Sequence, residues 1–239
     1  MIIPSYYDLL KNHPKSIALR FHNWAVPISV ISSLFIIVGD HFELLIMPYM
    51  LLFGLFYLVG NTSYFRTENV SANSYKILGS LGSIALLLFL SFSWYWDELG
   101  GMHELFESTE FIVGFILAVA SAIIFRMNRL LNSDGLIKPL EILFIVFPFI
   151  FFIGYTSPLA AVLVNMYVFI IGVIAIKEAT EQNVIGKLNF GLLIISALIV
   201  CRFFDTDLSF IFKGLLFVLV GAGFFISNYW MLKKRTYNG

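Results

Sequence analysis

The sequence predicts an all-α integral membrane protein with about eight transmembrane helices. Of its 239 residues, 59% are hydrophobic and only 13% are charged, and the mean hydropathy is +0.89. A soluble globular domain is nearer half apolar and a quarter charged, so much of this chain's surface needs lipid as its solvent. The apolar residues form continuous runs instead of alternating with polar ones, which favours helices over membrane strands.

Eight apolar runs are close to the length of about 20 residues that a helix needs to cross a bilayer. They cover residues 24–40, 43–60, 77–96, 110–126, 138–155, 158–177, 187–204 and 207–232. We therefore predict one transmembrane helical domain over residues 24–232 and a basic cytoplasmic tail over 233–239. Residues 1–23, a cytoplasmic or interfacial segment, mix apolar with basic side chains. They form either a short amphipathic helix on the membrane surface or a flexible tail.

The basic residues predict the orientation of these runs, because Lys and Arg gather in cytoplasmic loops. Most of the fifteen fall in every second connection or in the two tails. These are Lys11, Lys15, Arg20, Arg66, Lys76, Arg126, Arg129, Lys138, Lys177, Lys187, Lys233, Lys234 and Arg235. The pattern predicts a multi-pass protein of the plasma (inner) membrane whose N- and C-termini are both cytoplasmic. Arg202 and Lys213 are the two exceptions.

The two halves of the chain share several features in the same order. The segment Tyr49–Gly54 in the second run matches Tyr167–Gly172 in the sixth, and the third and seventh runs end WYWD and RFFD. Four runs in each half would make the halves enter the membrane from the same side. We predict two parallel four-helix repeats, residues 24–130 and 135–232. Chance similarity between apolar helices is the alternative.

A charged cluster separates the last two runs. In the stretch CRFFDTDLSF, Arg202, Asp205 and Asp207 precede Lys213, which lies inside the eighth run. Charges in membrane segments are costly, so they mark either a functional site or a set of ion pairs. Two interpretations stay open: a clasp that locks the hairpin of the seventh and eighth runs, and a binding site at the outer face.

Two asparagines and one glutamate within the apolar runs are candidate site residues. Asn165 is in the middle of the sixth run, where an amide most often forms a hydrogen bond with a neighbouring helix. Glu141 is one turn into the fifth run and close enough to Lys138 to pair with it, and Asn228 is near the end of the eighth. Each residue holds helices together or takes part in binding.

The third run carries two further features. Gly79 and Ser83 are small residues one helical turn apart, and such pairs let membrane helices approach closely. At the other end of the run, Trp94, Tyr95 and Trp96 form the kind of aromatic belt found at membrane–water interfaces.

The acidic connection that follows residue 96 offers only a weak metal-site candidate. His103 and Glu107 are four residues apart and would share a helix face, but HELFE lacks the second His of the zinc-protease motif HExxH. A solvated acidic loop is the alternative. The sequence contains no phosphate-binding loop, dinucleotide-binding motif or nucleophile elbow, so we predict neither catalytic residues nor a cofactor. The zero net charge argues against a nucleic-acid partner.

The last seventy residues resemble a known family. Residues 165–235 contain, in order, Asn165, LNFG, RFFDTDLSF, Lys213–Gly214, GAGFF, Asn228 and a terminal basic cluster. This pattern resembles the bacterial DUF2157/DUF4401-like group of polytopic membrane proteins of unknown function, and residues 76–99 resemble an earlier segment of that group. The resemblance implies a multi-span bacterial plasma-membrane protein. It also implies that one set of residues belongs to a shared pattern: Arg202, Phe204, Asp205, Asp207, Lys213, Gly214 and Asn228.

Three functions are compatible with the sequence. A small transporter or permease-like protein is favoured by the repeat and the charged cluster, and it would have a polar cavity around Asn165. A scaffold or subunit that assembles with another membrane protein is favoured because the sequence gives no sign of a broken helix. A membrane enzyme acting on a lipid-linked substrate at the outer face comes third. The expected partners are the lipid bilayer, a homo-oligomer or membrane-protein partner, and an unknown small-molecule substrate.

Overall fold

The computed structural model describes residues 17–38, 43–66, 73–99, 105–131, 137–157 and 159–205, together with scattered helical positions between 214 and 233. Within these residues every regular element is a helix, which confirms the all-α prediction for this part of the chain. The α-helices are α1 Ile17–Ile37, α2 Ile46–Gly60, α3 Ser63–Arg66, α4 Ser74–Phe89, α5 Ser93–Leu99, α6 Thr109–Leu131, α7 Leu143–Thr156, α8 Leu159–Gln182 and α9 Ile185–Asp205. Single turns of 3₁₀-helix occupy Leu105–Glu107 and Pro139–Ile142.

Four helical stretches of the described residues are long and apolar enough to cross a membrane. They are Thr109–Leu131, Pro139–Thr156, Leu159–Gln182 and Ile185–Phe203. These stretches correspond to the predicted fourth, fifth, sixth and seventh runs. A fifth crossing is obtained if α4 and α5 are counted as one bent span.

The other predicted runs have different outcomes. Helix α2 lies in the second run but has only 15 residues, which is about 22 Å of helix and less than a bilayer's apolar thickness. Helix α1 covers most of the first run, but it carries Arg20, His22 and Asn23 near its start and is not among the candidate spans. The eighth run, 207–232, lies outside the described residues apart from scattered positions. The count of eight spans therefore stays a prediction.

The prediction of one unbroken helix over the third run is wrong. Helix α4 ends at Phe89, α5 begins at Ser93, and the two helices are bent by 80°. The Ser91 amide donates to the Leu88 carbonyl at 3.2 Å, and the Ser91 hydroxyl donates to the same carbonyl at 2.6 Å. Serine side chains compete in this way for backbone groups that would otherwise continue a helix. Hydropathy did not reveal the break, because residues 88–93 have the composition of an apolar run.

The chain divides into two compact units, each made of two stretches. The first unit is residues 1–83 with 101–151, and the second is residues 84–100 with 152–239. Each unit draws residues from both of the predicted repeat halves, 24–130 and 135–232, so the internal repeat stays a prediction.

Helix α2 is the centre of the first unit. It is apolar on every side, and ten of its 15 residues are buried. A helix without a polar face is stable only when other elements surround it. Met50, Leu51 and Leu58 are almost completely inaccessible, and Leu52 and Phe56 join a hydrophobic cluster with residues of α1 and α4.

Helices α2 and α4 approach each other at glycines, as the sequence predicts for Gly79. A Cβ atom on Gly79 would collide with the backbone of Tyr57, and one on Gly60 would lie 2.5 Å from the amide nitrogen of Lys76. Asn73 reinforces this contact, because its side chain donates to the Gly60 carbonyl at 2.7 Å and accepts from the Lys76 amide at 3.0 Å. Asn73 thereby caps the first turn of α4 and holds the end of α2.

Helices α6 and α2 pack in a parallel orientation, so their N-termini lie at the same end. Gly114, near the start of α6, faces the side chain of Met47, near the start of α2. Near the other end, the Asn128 amide donates to the Leu58 carbonyl at 2.9 Å. The bond adds a second donor to the Leu58 carbonyl, which also accepts from the backbone amide of Asn61 at 3.2 Å.

A polar stripe on α6, which was not predicted from the sequence, accompanies this contact. Glu110 and Ser121 are fully buried, and with Gly114 and Asn128 they lie on one face of the helix. Spacing shows the shared face, but only packing reveals that this face is buried rather than exposed to water.

The second unit is built on the hairpin of α8 and α9, which run antiparallel. A Cβ atom on Gly172 would lie 2.6 Å from Ile195, and one on Gly191 would lie 2.9 Å from the amide nitrogen of Ile176. These two close contacts set the register of the hairpin. Asn183 turns the chain between the helices with a positive φ of 54°, which Asn tolerates better than most residues.

Candidate functional site

The break between α4 and α5 leaves two backbone carbonyls outside the regular hydrogen bonding of a helix, and side chains of the second unit bind both. The indole Nε1 of Trp96 donates to the Leu90 carbonyl at 2.8 Å. The Ser91 carbonyl accepts from Nδ2 of Asn165 at 3.1 Å and also from Nη2 of Arg202. A carbonyl oxygen has two lone pairs, so these two donors use the full capacity of the Ser91 oxygen.

Two residues that the sequence analysis placed in different groups therefore meet at one atom. Asn165 was predicted to be an intramembrane polar residue, and Arg202 part of an outer charged cluster. The register of the α8–α9 hairpin, fixed at Gly172 and Gly191, brings Asn165 and Arg202 to the same level. Sequence spacing alone could not show this, because it depends on the length of the turn between the helices.

Within the described part of the chain, the side chain of Asn165 forms hydrogen bonds through its nitrogen but not through its oxygen. Its amide nitrogen donates to the Ala161 carbonyl at 2.6 Å as well as to Ser91. Its oxygen Oδ1 is buried and accepts no hydrogen bond from the described residues. The break thus presents one further acceptor beside the Ser91 carbonyl.

The electrostatics at the C-terminal end of α4 favour a cation. The last carbonyls of α4 carry the negative end of the helix dipole, equivalent to roughly half an elementary charge. Arg202, in the last turn of α9, brings its positive guanidinium to this end.

Trp96 is held at the break by close packing. Its side chain is 2% exposed, and a Cβ atom on Gly154 would collide with the indole ring. Tyr95 is also buried, whereas Trp94 is 44% exposed. The predicted aromatic belt is therefore wrong for two of its three members, because α5 turns Tyr95 and Trp96 into the unit and leaves only Trp94 outside.

The other predicted site residues do not join this arrangement. The Glu141 carboxylate accepts from the backbone amide of Lys138 at 3.4 Å, so it caps the 3₁₀ turn in which it lies. Glu107 is exposed in a separate 3₁₀ turn. Among the described residues, no three His, Cys, Asp or Glu side chains come close enough to hold a metal ion.

Several predicted residues cannot be placed. The side chain of Asp205 and the whole of His103, Asp207, Lys213 and Asn228 lie outside the described residues. The clasp between Arg202 and the aspartates, with Lys213 reaching toward them, therefore stays a prediction.

A comparison of the chain with protein-family models, with curated proteins and with solved structures finds no match.

Proposed function

We propose that the chain is a polytopic membrane protein that acts as a small transporter or permease. In this proposal all eight apolar runs cross the plasma (inner) membrane of a bacterium and both termini are cytoplasmic, as the charge pattern and the resemblance to the DUF2157/DUF4401-like group imply. The observation that carries the proposal is the broken helix at residues 90–92, where Asn165 and Arg202 both bind the Ser91 carbonyl.

A broken helix is a feature of many transporters, because the ends of the half-helices bind substrates and ions inside the membrane. Irregular backbone is tolerated at membrane depth only when protein buries it or when it lines an aqueous cavity. Asn165 is six residues after the start of α8, which is about 9 Å along the helix axis. If α8 crosses the bilayer, the break lies inside the apolar layer.

The charge of Arg202 supports the same proposal. A charged side chain within the bilayer costs a few kcal/mol or more, so such residues are rare and usually belong to a substrate or ion pathway. A scaffold would need only to close the break, which an uncharged donor could do as well as an arginine.

The scaffold or subunit function is the second candidate, and one observation favours it. The carbonyls at the break are bound by the protein's own side chains, and Trp96 is packed tightly against Gly154. A break closed in this way needs no solute. The two candidates differ in whether water and small molecules ever reach Ser91 from both sides of the membrane.

Accessibility of Ser91 tests this difference. Cys201 is the single cysteine of the chain, so S91C in a C201S background carries one thiol at the break. A transporter alternates the access to its site, and we expect a membrane-impermeant maleimide to label this thiol from either side of sealed vesicles. A scaffold should be labelled from one side at most.

Ser121 provides the matched control. It is as fully buried as Ser91 but belongs to α6, in the first unit. The variant S121C in the same background should stay unlabelled from both sides. Equal labelling of S91C and S121C would report general loosening of the protein and would contradict the transporter proposal.

A further inference from the structure

The break between α4 and α5 collects hydrogen-bond acceptors at one point. The Ser91 carbonyl and the buried Oδ1 of Asn165 belong to adjacent positions, since Nδ2 of the same amide is bound to that carbonyl. The Ser91 carbonyl follows the C-terminus of α4, which is the negative end of that helix's dipole. Such a place favours a positively charged ligand that carries N–H donors.

The protein already supplies one ligand of that kind. The Arg202 guanidinium donates from Nη2 to the Ser91 carbonyl. Arg202 is three residues before the last residue of α9, which ends at Asp205. A small displacement or unwinding of the last turn of α9 would withdraw the guanidinium and leave both acceptor oxygens in place, one in the break and one on α8.

We propose that the C-terminal end of α4 is a cation-binding site for a compact nitrogen cation with N–H donors, of the guanidinium type, and that Arg202 is its resident occupant. The solute and Arg202 then exchange at the Ser91 carbonyl. The exchange step rests on the proposed transport function, whereas the existence of the cation site does not.

A metal cation fits the site less well. Na⁺ and divalent ions bound by proteins take several oxygen ligands, six or more for Ca²⁺. The described residues at the break offer the Ser91 carbonyl and Asn165 Oδ1, with the Leu90 carbonyl already bound by Trp96. A cation that forms directional N–H bonds needs only these few acceptors.

Chemical rescue of an arginine variant tests the site. In R202A the guanidinium is missing and a space of its size is left, so we expect the melting temperature of the full chain in mild detergent to fall by roughly 2–10 °C. Guanidinium or methylguanidinium chloride at low millimolar concentration should restore most of this loss. Tetramethylammonium chloride, which has no N–H donor, and sodium chloride should not.

Two matched variants show whether the recovery is local. R202M fills the space with an apolar chain, so guanidinium should not restore its melting temperature. R126A removes an exposed arginine of α6 and should show no response to guanidinium. In the double variant R202A/N165A, which loses Oδ1 of Asn165, the recovery should be smaller than in R202A.

The proposal is overturned if guanidinium fails to raise the melting temperature of R202A, or if sodium or tetramethylammonium raises it equally. It is also overturned if R202M responds as strongly as R202A. If R202A does not fold alone, the yield of monodisperse protein purified with guanidinium or with tetramethylammonium replaces the melting temperature, with the same expected order. Labelling of S91C from a single side would contradict transport while leaving this result unaffected, so the two proposals fail separately.

Discussion

At the scale of single residues, three side chains close the end of α4. Trp96, Asn165 and Arg202 donate to the Leu90 and Ser91 carbonyls. An intramolecular hydrogen bond stabilises a protein by about 0.5–1.5 kcal/mol, whereas a buried carbonyl left without a donor costs about 1–3 kcal/mol. The two donors on Ser91 therefore protect one another, because either alone keeps the carbonyl satisfied.

This shared acceptor predicts that the effects of R202M and N165L do not add. Each variant alone should lower the free energy of unfolding by about 1 kcal/mol, since one donor remains on Ser91. The double variant leaves the carbonyl without either donor, so it should lose more than the sum of the two by about 1–2 kcal/mol. Unfolding of the four proteins in the same detergent measures this difference, and strictly additive losses would mean that the two donors do not share the Ser91 oxygen.

Gly154 predicts a second effect at the residue scale. Because a Cβ atom there collides with Trp96, G154A should lower the free energy of unfolding by about 1–3 kcal/mol, the usual cost of overpacking. Gly186 is the matched control, since nothing in the described part of the chain beyond its own helical turn lies within 4 Å of its Cβ position in α9. G186A should stabilise the protein by about 0.4–1 kcal/mol, because alanine restricts the unfolded chain. A loss of stability in both variants of similar size would contradict the packing seen around Trp96.

At the scale of elements, hydropathy predicts the long helices well and the break poorly. The predicted runs from the fourth to the seventh coincide with the four candidate spans, because a helix in lipid is selected by length and apolarity alone. The third run contains the same apolar residue types. Its interruption depends on the Ser91 hydroxyl competing for a backbone carbonyl and on donors from α8 and α9, which no local window of sequence contains.

The candidate site, like the helices, was predictable from the sequence only in part. Asn165 and Arg202 stand out in the sequence as costly polar residues, since a polar side chain within an apolar run can be recognised without a structure. Their convergence on Ser91 was not predicted, because it depends on the hairpin register and on the 80° bend at the end of α4. Trp96 was predicted to be an interfacial aromatic residue, since only the direction of α5 shows that its ring is buried.

Two tryptophans of α5 allow the hydrogen bond at the break to be tested. W96F keeps an aromatic ring but removes the Nε1–H that binds the Leu90 carbonyl, so the free energy of unfolding should fall by about 1–3 kcal/mol. W94F changes a neighbouring, half-exposed indole by the same atoms, and its effect should stay within about 0.5 kcal/mol. Equal losses for the two variants, measured by thermal unfolding, would show that burial of the ring matters and the hydrogen bond does not.

At the scale of the whole molecule, the basic residues predict one orientation for all crossings. Thr156 lies at the end of α7 and Gln182 at the end of α8, and both are exposed. If α8 crosses the membrane, these two residues lie on opposite sides of it. Lys177 and Lys187 flank Gln182, so the rule that basic loops are cytoplasmic assigns Gln182 to the cytoplasm and Thr156 to the outside.

Cysteine labelling tests this orientation and shows whether the eighth run crosses the membrane. In a C201S background, T156C should react with an impermeant maleimide added outside intact cells, and Q182C should react only after the cells are opened.

The decisive variant is N238C in the basic tail. If the eighth run crosses the membrane, α9 leads outward and the eighth run leads back, so N238C should behave as Q182C does. Labelling of N238C from outside, together with T156C, would mean that the run over 207–232 does not cross and that the tail's positive charges lie against the rule. In that case the eight-span topology would be wrong, although the break at Ser91 and its two donors would be unchanged.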